Sequence, residues 1–251
     1  MIQKALTLEC WVALASSGGV DSSGGASGGF GRLAVGFNGN RLEQTMLFEM
    51  RTYLLKPGSM PEVEALFEAA LPDRTPFSPM AGFWRTEVGT LNQIIHVWPY
   101  ESLAERDRIR AEAVKSGRWP PKIADHVVEM ESKILHPAPF SPNFRPGEYG
   151  GIYEFRTYTY GAGAIPKVIE AWAPRIPERT AISPLIFAGS TDIGPLNQWV
   201  HVWAYKNMGE RERLRAQAMK PDVWPPPRAP GVVMQRMQNT FAVPAKFSPL
   251  R

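Results

Sequence analysis

Two short stretches hold most of the side chains with which this sequence could do chemistry. Glu49, Arg51 and Tyr53 alternate along one segment, and His96 and Trp98 alternate along another. The same types return 105 positions later as Glu154, Arg156, Tyr158, His201 and Trp203. Strand residues two apart share a face, so Glu49–Arg51 and Glu154–Arg156 can meet as ion pairs. Pairing matters because an isolated charge in an apolar space is very costly. The imidazoles of His96 and His201 can donate, accept and titrate near neutral pH. Trp98 and Trp203 supply flat apolar walls. Apolar walls with a few convergent polar groups are the usual makings of a small-molecule pocket. Asn92 and Asn197, which lead into the two histidine segments, complete the candidate ligand-binding set. Each group also has a structural reading: an ion pair that fixes register, a hydrogen-bonded core histidine, a packed indole.

Other chemistries lack their signatures. The chain has no Gly-rich phosphate loop, no Gly-x-Ser-x-Gly elbow and no His-Glu-x-x-His run. Its four histidines, at 96, 126, 136 and 201, are widely spaced, which gives no metal signature. We expect neither a metal nor a cofactor. The single cysteine, Cys10, lies outside the repeated part, so disulfides and thiolate chemistry play no part there. The net charge is +4 with no block of Lys or Arg, unlike the basic stripe that nucleic-acid binding calls for. No run approaches the ~18 apolar residues of a membrane span.

The candidate residues are positioned by a duplicated unit. Between 46–121 and 151–226, 31 of 76 positions are identical at a gapless shift of 105. A period of ~100 residues is the size of a small domain rather than a solenoid repeat. Each unit opens with a strand in which Phe48, Met50 and Thr52 alternate with Glu49, Arg51 and Tyr53. Gly58 breaks it, and Ser59, Pro61 and Glu62 signal a helix start. Strands are expected over 80–88 and 92–100, joined by a hairpin at Gly89 to Asn92. Ser102 with Glu105, and Asn207 with Glu210, form capping boxes for a second helix. Trp119-Pro120-Pro121 and Trp224-Pro225-Pro226 end that region, and closing strands fall near 126–135 and 231–242. Trp119 and Trp224 read as lids over the helix layer. The arginines at 106, 108, 110, 211, 213 and 215 read as a mostly solvated helix face.

The order β-α-β-β-α-β is the ferredoxin-like pattern. With helices on one face, the open face of each sheet calls for cover, and the other copy supplies it. The expected fold is α+β: two tandem ferredoxin-like units, 46–137 and 151–251, packed sheet to sheet as an intramolecular α+β barrel and joined by a linker at 138–150. On this expectation the apolar strand face meets the helices, and the Glu-Arg-Tyr and His-Trp face lines the space between the sheets. Residues 1–45 include the Gly/Ser-rich run 15–31, whose composition cannot order itself. The expected natural start is Met46, with 1–45 as an over-extended gene model whose removal leaves stability unchanged. No Arg-spaced amphipathic presequence is seen there, and the expected location is cytoplasmic.

The motif Glu-x-Arg-Thr-Tyr followed by Leu-Asn-Gln-x-x-His-Val-Trp resembles the NIPSNAP family over both units. The resemblance implies the dimeric α+β barrel fold, whose superfamily also holds small cofactor-free monooxygenases. It implies no agreed catalytic residues, and its animal members are associated with mitochondria and with vesicle or mitophagy roles. Three functions stay open. The chain binds a small, partly apolar molecule between its sheets. Alternatively it is a monooxygenase-like enzyme in which His96 or His201 acts as base and Arg51 or Arg156 stabilises a developing enolate. Or it is a non-enzymatic interaction protein with a packed barrel. Sheet edges and the arginine-bearing helices leave room for a homo-oligomer.

Overall fold

The computed structural model describes residues 46–219 and 224–251. The expectations placed on residues 1–45 lie outside the described residues. The first repeat runs β1 (Leu47–Leu55), α1 (Met60–Ala70), β2 (Gly82–Val88), β3 (Gln93–Tyr100), α2 (Leu103–Lys115) and β4 (Val127–Pro137). The second runs β5 (Ile152–Tyr160), α3 (Ile165–Trp172), α4 (Ile176–Ile182), β6 (Leu185–Ile193), β7 (Gln198–Tyr205), α5 (Met208–Ala218) and β8 (Met234–Pro244).

Local chemistry explains most of these boundaries. Ser102 Oγ accepts a hydrogen bond from Glu105 N at 3.0 Å, and Asn207 Oδ1 accepts one from Glu210 N at 2.9 Å. Both therefore cap their helices as the spacing predicts. Ser59 differs. Its backbone is already helical and its side chain makes no cap, because the hydroxyl faces His126 Nδ1 at 3.2 Å. In the second repeat the helical stretch after β5 is divided by a 3-10 turn at Ala173–Arg175. Pro174 and Pro177 there offer no backbone N–H to the ladder. Asn92 and Asn197 turn the hairpins with φ of 56° and 55°, a left-handed conformation that Asn tolerates better than most residues.

The eight strands close into a barrel in the order β1-β3-β2-β8-β5-β7-β6-β4. Antiparallel pairing of β2 with β8 and of β4 with β6 joins the repeats, for example at Arg85↔Val243 and Leu135↔Thr191. The two sheets thus share edges as well as faces, and the helices lie outside.

The barrel interior is apolar. Phe48, Met50, Ile95 and Val97 from the first repeat pack with Tyr153, Phe155, Val200 and Val202 from the second. The linker adds Phe144, whose ring stacks on Phe187 at 4.6 Å and lies 5.4 Å from Phe48. Its backbone N donates to Ile186 O at 3.0 Å. Trp84 of β2 meets Tyr153 and Phe155 at 5.3 and 5.2 Å. Gly82 must be glycine for this, since a Cβ there would lie 2.0 Å from the Trp84 ring.

Candidate functional site

The structure reverses the expected faces. Tyr53 and Trp98 belong to the layer between the first sheet and its helices, together with Val63, Phe67 and Ile109. Tyr158 and Trp203 belong to the matching layer of the second repeat. Glu49, Arg51 and His96, and Glu154, Arg156 and His201, alternate onto those same helix-facing sides. The candidate residues therefore form two separate clusters outside the barrel and do not converge between the sheets. The physical reason is the need for counter-ions. A buried carboxylate requires cations close by, and on the helix side α2 and α5 supply them.

Glu49 is fully buried. Its Oε1 accepts from Arg51 Nη1 at 2.7 Å, Arg106 Nη2 at 2.7 Å and Ser132 Oγ at 2.8 Å. Arg110 Nη1 stands 3.6 Å from Oε2. Burial alone would raise the carboxyl pKa. The Arg106 hydrogen bond and the charges of Arg51 and Arg110 outweigh it and hold the group at about 2. Arg51 Nε also donates to Tyr53 Oη at 2.6 Å. In the second repeat Glu154 accepts from Arg156 and, at 2.8 Å, from Arg211 Nη2, with Arg215 at 3.9 Å. Burial opposes ionisation there too, but Arg211 and Arg156 lower the Glu154 pKa. The arginines at 106, 110, 211 and 215 thus turn toward the buried carboxylates. Spacing of i, i+4 puts each pair on one helix side, whereas Arg108 is exposed.

Each histidine is tied to its tryptophan. Trp98 Nε1 donates to His96 Nδ1 at 2.7 Å, and Trp203 Nε1 to His201 Nδ1 at 2.7 Å. An indole N–H is a donor only, so the Nδ1 lone pair is engaged and the proton of the neutral ring sits on Nε2. Both imidazoles are buried, and burial followed by the nearby Arg51 or Arg156 charge pushes their pKa values well below the usual range. A ring held in this way has no free lone pair with which to take a proton. Asn92 and Asn197 stand apart from both clusters, where their carbonyls accept from Leu55 N and Tyr160 N.

Arg74 and Arg179 were not evident from the strand pattern. Both are buried, and burial lowers their pKa values. Arg74 donates to Ser78 O at 3.1 Å and Tyr100 Oη at 3.0 Å, with its guanidinium 4.3 Å from the Trp98 ring. Arg179 donates to Ser183 Oγ at 2.6 Å and stacks 4.0 Å from Trp203. Trp119 and Trp224 pack at 5.6 and 6.1 Å on Trp98 and Trp203. The repeat itself carried the signal, since Arg-Thr-x-x-Ser-Pro stands at 74–79 and again at 179–184.

The second repeat also has an open groove. It lies between α3, the start of β8 and the segment from Trp224 to Val232, and has a volume of about 210 Å³. Tyr158, Tyr160, Trp172, Trp224, Met234 and Met237 give it apolar walls, while Lys167 and Arg228 are also among its lining residues. A wider surface depression continues past Lys167, Ala171 and Arg228. The Tyr160 pKa is raised to about 12 by burial and by Tyr158, against an opposing pull from Arg228. Among the described residues no helix is long and apolar enough to cross a membrane.

Comparison with known proteins agrees with this architecture. The NIPSNAP family model matches residues 48–142 and again 153–249. Protein NipSnap homolog 3B of Mus musculus is 29% identical over 85% of this chain and 89% of its own length. Protein NipSnap homolog of Dictyostelium discoideum is 30% identical over 74% of this chain and 81% of its own. Among solved structures, an anthrone oxidase-like protein matches 82% of this chain and 94% of its own with a TM-score of 0.56 at 10% identity, a likeness of fold alone. Two matched repeats closed into one α+β barrel place this chain in the NIPSNAP family.

Proposed function

We propose that this protein binds a small, largely apolar molecule in the groove of its second repeat, on the helix side of the sheet. The observation that carries the reading is the cavity of about 210 Å³ walled by Trp172, Trp224, Tyr158 and two methionines. Aromatic and apolar walls with few polar groups are the composition of ligand sites. The volume falls below the ~300–1,000 Å³ of drug-sized pockets, which favours a small ligand or one held only in part. Packed rings in the barrel argue against a site there. The enzyme reading finds less support, because fold likeness does not fix function and both candidate bases have their Nδ1 atoms engaged. A cytoplasmic setting belongs to the same proposal, and imaging of the tagged full chain tests it.

The test is a thermal-shift screen on the full chain and on Ala171→Leu, which fills the groove with the residue that the first repeat carries at that position. A ligand at about 100 times its Kd adds about 2.7 kcal/mol, roughly 5–10 °C in Tm for a chain of this size. Hits that stabilise both proteins equally would remove the groove from consideration.

A further inference from the structure

The first repeat is an internal control for the groove. Leu66 of α1, packed on the first helix-side core, is Ala171 in α3. Arg228 stands in a segment two residues longer than its counterpart, since β4 meets β1 at Tyr53↔Met130 and β8 meets β5 at Tyr158↔Met237. Glu62 in the first turn of α1 is Lys167 in the first turn of α3. A leucine side chain is therefore reduced to a methyl group where the cavity stands, and an acid at its edge has become a base. The first repeat is also latched: His126 lies 3.2 Å from Ser59 Oγ and 3.7 Å from Glu62. In the second repeat Ala164 replaces Ser59. Lys167 and Arg228 are exposed, and the Lys167 ammonium makes a long 3.4 Å bond to Pro230 O.

We infer that the groove takes an apolar monocarboxylate, with its body against Trp172 and Trp224 and its carboxylate at Lys167 and Arg228. This rests on the proposed function of the groove and names its ligand class. A guanidinium fork matches a carboxylate bidentately, and an ammonium adds a point charge. Apolar walls alone would accept a neutral molecule equally well. The change from Glu62 to Lys167, with Arg228 also in the groove lining, is what selects an anion.

Calorimetric titration of the full chain with decanoate and 2-naphthoate, each beside its neutral alcohol, tests this. At least one acid should bind about tenfold or more tighter than its alcohol, a margin of one charge-assisted contact. Lys167→Glu and Arg228→Gln should each remove that margin and leave the alcohol's affinity unchanged. Equal binding of acid and alcohol, both lost in Ala171→Leu, would overturn the anion preference and leave the groove standing. No binding of any of the four probes would overturn both readings. A third arm uses phosphatidylserine vesicles. Vesicle binding abolished by Lys167→Glu, with no binding of the free acids, would assign the cations to a lipid surface and refute the free carboxylate.

Discussion

Glu49 and Glu154 are the residues on which the outer clusters depend. Replacing Glu49 with Gln leaves Arg51, Arg106 and Arg110 without their shared anion, and should destabilise the protein by about 3–5 kcal/mol in urea unfolding. Its proton binds near pH 4.5 in the unfolded chain but only near 2 in the folded one. Acid therefore favours unfolding: the contribution of Glu49 is complete above pH 4.5 and lost as pH falls toward 2. His96 and His201 act in the same sense, because their folded pKa values are depressed from 6.5. Their contribution is full above pH 6.5 and declines below it. NMR of the imidazole protons between pH 8 and 6 should show both rings neutral and not titrating. A midpoint near 6.5 would contradict the tryptophan-held geometry.

At the scale of elements, the linker and the strand seams decide more than their composition suggests. Residues 138–150 read as a Pro/Gly-rich connection, yet Phe144 is 2% exposed and stacks within the barrel. Phe144→Ala should cost about 3–5 kcal/mol, a core value rather than a loop value, measured by chemical denaturation. A loss below about 1 kcal/mol would mean that the ring does not fill the interior. Gly189 sits at the seam of β6 with β4, where a Cβ would come 2.4 Å from His136 O. Backbone cannot yield there as a side-chain tip can, so Gly189→Ala should lower stability by about 1–3 kcal/mol. Amide exchange in β4 and β6 should quicken in that variant, and unchanged exchange would show that the seam absorbs the methyl group.

At the scale of the whole molecule, neither repeat completes its own fold. β4 pairs with β1 and with β6, and β8 pairs with β5 and with β2. The interior core draws side chains from both repeats and the linker. Separately expressed 46–150 and 151–251 should therefore lack cooperative unfolding as monomers, and mixing them should restore one transition with the near-ultraviolet signal of the intact chain. A monomeric fragment that unfolds cooperatively would show the repeats to be independent.

The duplication, the element order, the hairpins at Asn92 and Asn197 and the caps at Ser102 and Asn207 were legible in the sequence, because each depends on neighbours in the chain. Alternation along β1 and β3 also sorted the side chains correctly into two sets. It could not say which set faces inward, since both faces of these strands are buried and alternation specifies a face only when one side meets water. That choice belongs to the tertiary structure. The shared interior is lined by apolar groups from both repeats, while α2 and α5 bring the arginines that a buried glutamate requires. The groove has the same status. Leu66 and Ala171, and Glu62 and Lys167, differ openly in the sequence. Only packing reveals that residues about 57 apart in the chain border one space, where shortening one aliphatic side chain and reversing one charge accompany an opening.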